Sequence, residues 1–322
     1  MCFAAGQAHA VGGRHGGGAP RQQRRKGRPD HEPSCRSSPA HPRARPRPTV
    51  KILILRGGAS LRRRPNTSSG APVSSTRERG VMAIGNGSGR WVLVNMSPGV
   101  AHQLDSDARL DQHPGLPDAD VRAVVLTDAQ VDHVGGLLGL RDGGPIDLYA
   151  TPAVFEDLTT ALPVLPVLQH YCGVHWHVVP VAGDRPVASF RVDGLPSLEF
   201  TALATQAPVL PHLAHTEHPR VGDSIALAVR DLATGQRAFC APGLAQIGAE
   251  AFEWMREADC LLMDEPDATP DRRPAWLDLV CTLPARHKVL LGHPGDAGAQ
   301  AQRASWAQRG LQLAYDGMEI QL

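Results

Sequence analysis

Four side chains able to do chemistry fall within six residues of one another: Asp128, Gln130, Asp132 and His133. The apolar run Val124–Leu126 precedes them. Gly135, Gly136 and the apolar Leu137–Leu140 follow. A buried strand running into a polar loop and a helix start fits this order, and sites in α/β proteins collect where loops leave the carboxyl ends of strands. Carboxylates combined with an imidazole form a donor set that suits iron, manganese or zinc, with open positions favouring Fe(II). Asp128, Asp132 and His133 are therefore the leading candidate metal ligands. Asp264 and His293 each follow another short apolar run and are further candidate ligands. Asp128, Gln130 and His133 are the candidate catalytic groups, with Gln130 read as a hydrogen-bond partner of a ligand or bound oxygen. The competing reading needs no metal. Asp132 or His133 would then cap the following helix, Asp264 would be a solvated loop carboxylate, and His293 a turn residue beside Pro294.

A second group, His212, His215 and His218, sits in a proline-flanked loop and is the candidate substrate-binding set. The alternative is a His-rich surface loop. His170, His175 and His177 flank Tyr171 and Trp176, which points to packing.

The elements that must position these residues are legible as alternating patterns. Short apolar runs predict strands at Val50–Leu55, Trp91–Asn95, Ala123–Leu126, Ile146–Ala150, Val174–Val181, Ser224–Arg230, Arg237–Cys240, Cys260–Met263 and Lys288–Leu291. Helical patterns cover Pro152–Ala161, Leu244–Ala258, Pro274–Thr282 and Ala299–Arg309. Thr151 is a candidate N-cap with Pro152 in the first turn. Early strands run mostly without helices between them and later ones alternate with helices. The predicted class is α/β, with two packed sheets covered by helices.

The chain has 322 residues, 42% of them hydrophobic, enough for a substantial core. Residues 1–50 hold ten of its 33 Lys and Arg but only two of its 32 Asp and Glu. The remainder is mildly acidic, which argues against nucleic acid as a partner. Residues 1–49 are rich in Gly, Pro, Arg and Ser and nearly lack large apolar side chains, so a disordered basic extension is expected there, with one domain over 50–322. The six cysteines form no knuckle or redox pair, and several lie in apolar runs. Reduced buried thiols and a cytoplasmic setting are expected. No apolar run reaches the length of a membrane span.

The loop Thr127–His133 (TDAQVDH) resembles the Thr-His-x-His-x-Asp-His segment of the metallo-β-lactamase superfamily, with Asp128 and Gln130 in place of two histidines. That replacement is similar to the pyrroloquinoline quinone (PQQ) biosynthesis protein B family. Further blocks resemble the same family in order: Glu156–Thr160, His170–His177, Gly222–Ala226, Ala241–Leu244, Ala258–Asp264 and Ala314–Ile320. The resemblance implies a metallo-β-lactamase-like αβ/βα sandwich. It implies a divalent metal, Fe(II) first and Zn or Mn next, and hydroxylation of the tyrosine-derived part of a Glu–Tyr cross-linked precursor. Other PQQ biosynthesis proteins would be partners. Two further roles are carried with it: a non-catalytic carrier of PQQ or its precursor, and a metal-dependent hydrolase. The chain departs from the family pattern at three places. Residues 56–79 contain no cysteine, so the family's structural zinc cluster is not expected. Residues 265–282 are a short segment without histidine. His293 stands one position away from the family's usual histidine.

Overall fold

The computed structural model describes residues 50–56, 78, 80–87, 90–104, 122–207, 209–213, 219–244, 246–264, 275–292 and 304–322. The expected extension over 1–49 lies outside them. So do His215, His218 and His293.

Fourteen strands make two seven-stranded sheets among the described residues. The first sheet contains β1 (Lys51–Arg56), β2 (Val81–Gly85), β3 (Trp91–Val94), β4 (Arg122–Val125), β5 (Ile146–Ala150) and β6 (Val174–Val178), with β14 (Glu319–Gln321) beside β1. The second contains β7 (Val187–Phe190), β8 (Leu198–Ala204), β9 (Ile225–Asp231), β10 (Arg237–Ala241), β11 (Cys260–Asp264), β12 (His287–Leu291) and β13 (Gln312–Leu313). In each sheet one half is antiparallel and the other parallel. Strands β3 to β6 run parallel in the first, and β10 to β13 in the second.

Period-two alternation decides the layering. Ile52, Ile54, Met82, Ile84, Val92 and Val94 face the second sheet and form the central core. Their neighbours Leu53, Leu55, Val81, Ala83 and Leu93 point the other way, under the helices of the first sheet. The second sheet repeats this: Cys260 and Leu262 point inward, while Leu261 and Met263 pack under its own helices. A strand buried on both faces must be apolar throughout, so these strands read as nearly uniform runs.

The outer helices are α1 (Pro98–Leu104), α2 (Val131–Val134), α3 (Pro152–Thr159) and α4 (Val164–Gln169) on one side, and α5 (Ala249–Arg256) and α6 (Ala275–Thr282) on the other. The predicted αβ/βα sandwich is the observed one. Thr151 caps α3 through its hydroxyl, which accepts from Val154 N at 3.2 Å. Five strands escaped the reading of the sequence: β2, β7, β8, β13 and β14. So did helix α4, where Pro166 sits in the first turn and is tolerated because that turn's N–H groups lack intrahelical partners. No helix among the described residues is long and apolar enough to cross a membrane.

Candidate functional site

The carboxyl ends of the parallel strands from both sheets meet at one place. From the first sheet come Asn95 after β3 and Thr127–His133 after β4. From the second come Pro242 and Gly243 after β10 and Asp264 at the end of β11. The loop 127–133 is anchored on both flanks. Ile225 N donates to Thr127 O at 2.9 Å, and an isolated bridge pairs Asp128 with Ser224. Met96 N donates to His133 O at 2.6 Å.

Asp128 and His133 are 3% and 2% exposed and form a buried pair. His133 Nδ1 lies 2.7 Å from Asp128 Oδ1 and 2.9 Å from Oδ2. The carboxylate also accepts from Gln130 N at 2.9 Å. The Thr127 hydroxyl accepts from Asn95 Nδ2 at 2.9 Å and lies 3.1 Å from both Asn95 Oδ1 and Asp128 Oδ2. Asn95 in turn donates to Gly80 O at 3.0 Å and accepts from Thr127 N at 3.0 Å. It is the one non-glycine residue with positive φ among those described, at 61°. An asparagine tolerates that conformation better than most residues, and its side chain bridges three backbone and hydroxyl groups in return.

The electrostatics follow from this wiring. Burial would raise the Asp128 carboxyl. The His133 charge and the hydrogen bonds from His133, Gln130 N and Thr127 outweigh it and hold the group below its ordinary range. Burial would lower His133. The charge and hydrogen bond of Asp128, then the charges of Asp264 and Asp132, raise it above its ordinary value. Asp264 is thus in electrostatic reach of His133, and its Oδ2 is fixed by Gly243 N at 2.7 Å.

Of the residues singled out in the sequence, the structure pairs Asp128 with His133, places Asp264 within electrostatic reach of His133, and puts Asp128 and Gln130 in the wall of an adjoining cavity. Asp132 stands on the exposed side of α2, one residue from His133. His212 lies in a short 3-10 turn, Pro211–Leu213, beside the cavity rather than in its wall. No group of three His, Cys, Asp or Glu close enough to hold a metal is present among the described residues. Asn95, Thr127, Arg220 and Asp223 were missed as site residues. The signal available for Asn95 was an asparagine ending an apolar run, and for Arg220 an arginine two residues before the turn glycine Gly222.

The cavity offers about 460 Å³ of space, counting the part open to solvent. Asp128, Gln130, Arg220 and Asp223 are among its polar lining residues. Thr205 and Ser224 face each other through hydroxyls 2.9 Å apart. Leu210 and Leu213 add apolar wall. A mixed lining of this kind suits an organic ligand with a ring and a few polar substituents.

A family profile described as "Beta-lactamase superfamily domain" matches residues 90–301. The chain is 34% identical over 256 residues to "Coenzyme PQQ synthesis protein B" of Methylobacillus flagellatus, covering 71% of this chain and 83% of that one. It is 32% identical over 279 residues to the protein of the same name from Azotobacter vinelandii, covering 77% and 89%. Among solved structures, zinc-bound PqqB from Methylobacterium extorquens matches with a TM-score of 0.60 over 84% of this chain and all of that one, at 21% identity. At that identity the likeness establishes a shared metallo-β-lactamase fold. By the length and identity of these matches, the chain belongs to the coenzyme PQQ synthesis protein B family of the beta-lactamase superfamily.

Proposed function

We propose that this protein acts in PQQ synthesis as a metal-dependent enzyme that hydroxylates the tyrosine-derived ring of a Glu–Tyr cross-linked precursor. The observation that carries the reading is the buried Asp128–His133 pair, whose Asp128 lines a cavity with apolar and hydroxyl walls. The relatives' name supports the pathway, and the zinc in the Methylobacterium protein supports a divalent ion.

The residues fit such an ion in kind. Two carboxylates, Asp128 and Asp264, and one imidazole, His133, are hard and borderline donors suited to Fe(II), Mn or Zn. A glycine leaves room beside the imidazole. A Cβ at Gly80 would come within 3.0 Å of His133 Nε2. His133, through Nε2, and Asp264 would hold the ion, with Asp128 bracing the imidazole at Nδ1 or turning to ligate in its stead, and Asp132 and His293 as the further donors expected from sequence. A bound redox-active ion supplies the Lewis acidity and electron transfer that ring oxidation needs.

The chain's own groups do the rest. Asp128, anionic, holds the proton of His133 at Nδ1 and fixes the ring's orientation. Gln130 offers its amide to a polar substituent of the ring. Leu210 and Leu213 exclude water from the ring face. His212, His215 and His218 remain proposed substrate contacts in the loop beside the cavity.

A carrier role is the second reading, favoured by the lack of a three-donor group among the described residues. The replacement of two histidines by Asp128 and Gln130 counts against a superfamily hydrolase. One experiment separates them. The purified full chain is given cross-linked precursor, Fe(II), air and ascorbate as the two-electron reductant that takes the second oxygen atom to water, and the product is weighed by mass spectrometry. An added oxygen atom supports the enzyme. Unchanged precursor, with PQQ production still restored in a strain lacking this function, supports the carrier. Release of a cleaved product supports the hydrolase.

A further inference from the structure

Three side chains from adjacent segments stand in a row on the cavity wall. Thr205 and Ser224 continue the β8–β9 ladder one residue beyond Ala204 and Ile225, and Thr205 N donates to Ser224 O at 2.9 Å. On its other side Ser224 is bridged to Asp128. Residues directly opposite each other across such bridges point to the same face, roughly 5 Å apart. Asp128, Ser224 and Thr205 all line the cavity. The Thr205 and Ser224 hydroxyls lie 2.9 Å apart, and Ser224 is 3% exposed. Two hydroxyls carry two protons, and the bond between them uses one. Neither hydroxyl has another partner among the described residues. The pair therefore keeps one O–H for the cavity, and either oxygen can present it, because either can be the donor in the shared bond. A polar group at a buried wall is costly until it is paired. The complement is an acceptor oxygen entering from the cavity. The neighbouring carboxylates decide its charge. Asp128 and Asp223 both line the cavity, and the Arg220 guanidinium is already bonded to Asp223, Glu156 and Asp157. An anionic oxygen would meet like charge there, so a neutral one fits.

We infer that the Thr205–Ser224 hydroxyl pair is the subsite for a neutral ring oxygen, the phenol of a tyrosine-derived substrate. This rests on the proposed reading that the cavity takes such a ring. The pair donates its spare proton to the phenol oxygen and accepts the phenol proton on a remaining lone pair, so a hydroxylated ring is matched in both directions. A ring without that hydroxyl leaves the spare proton unpaired and is selected against. Leu210 and Leu213 supply apolar surface for the ring itself. The bridge from Ser224 to Asp128 sets an oxygen bound at the pair one strand spacing from Asp128, which fixes the ring beside the Asp128–His133 pair.

The test is calorimetric titration of the full chain with N-acetyl-L-tyrosinamide and N-acetyl-L-phenylalaninamide, which differ by the phenol hydroxyl alone. The tyrosine derivative is expected to bind about five- to tenfold tighter, the size of one or two neutral hydrogen bonds. Thr205→Val combined with Ser224→Ala is expected to bring the two probes to equal affinity, while Thr205→Ser, which keeps the hydroxyl, retains the gap. Equal affinity of the two probes for the wild type overturns the subsite and leaves the ring-binding reading in place; this comparison needs no variant to fold. An undiminished gap in the folded double variant also overturns the subsite. Binding of neither probe removes the ring-binding reading and the subsite together.

Discussion

Among the described residues a carboxylate touches an imidazole at two places, and one of them has the makings of a site. At the ends of β3 and β4, Asp128 meets His133 inside the fold, with Thr127 and Gln130 N bonded to the same carboxylate and Asn95 bonded to Thr127. At the lateral edge of the first sheet, Asp147 Oδ1 lies 3.0 Å from His177 Nε2 and 3.4 Å from His175 Nδ1. The residue types are the same and the geometry is similar. The difference is support: the edge contact sits on β5 and the edge strand β6, with the His175 side chain 63% exposed. Its His177 ring is occupied by stacking on Tyr149, at 4.4 Å between centroids. Reactive residue types become a site when burial and a second layer of hydrogen bonds leave them one orientation.

The sharpest way to break this comparison is to remove each carboxylate in chelator-treated protein and follow denaturant unfolding. Asp128→Ala should cost about 3–5 kcal/mol, because it strands a buried imidazole. Asp147→Ala should cost about 1 kcal/mol or less, as expected for a solvent-screened contact. Equal losses would mean that burial does not distinguish the two places.

The supporting layer can be tested by itself at Asn95. Asn95→Ala should destabilise by about 2–3 kcal/mol, since it loses the bridge and keeps a Cβ at positive φ. Asn95→Gly should cost less, because glycine relieves the backbone while removing the same hydrogen bonds. The difference between the two variants isolates the conformational part, and unfolding curves measure it. If glycine proves as costly as alanine, the side-chain bridge accounts for the whole effect.

The smallest effect concerns thiols near the two regions and leaves stability unchanged. Burial pushes the Cys240 thiol up to about 12, so it stays neutral at pH 8.5. Cys172, beside the edge strand, is also raised by burial but is only half-buried. Iodoacetamide followed by peptide mass mapping should label Cys172 while Cys240 stays unmodified in the native protein. Native-state labelling of Cys240 would show that the central core opens readily.

Much of this was legible in the sequence because the signals were local. Uniform apolar runs marked the doubly covered strands β10, β11 and β12, and the loop 127–133 announced itself by composition. What stayed hidden depended on distant partners. β2 follows a turn-rich stretch, and its short run Val81–Gly85 becomes a strand by pairing with β1 and β3. Asp132 looked equivalent to Asp128 in sequence, yet helical geometry turns it outward while the bridge to Ser224 draws Asp128 in. Arg220 carried no local mark, since its partners on α3 lie 63 and 64 positions away.

The central claim is that the strand ends carrying Asp128, His133 and Asp264 form a divalent-metal site. The most direct measurement is elemental analysis of the purified full chain beside His133→Ala, Asp264→Asn and Asp147→Ala, with circular dichroism confirming the fold of each. The account predicts bound divalent metal in the wild type and in Asp147→Ala, and its loss from folded His133→Ala and Asp264→Asn. Wild-type metal content in folded His133→Ala would contradict it.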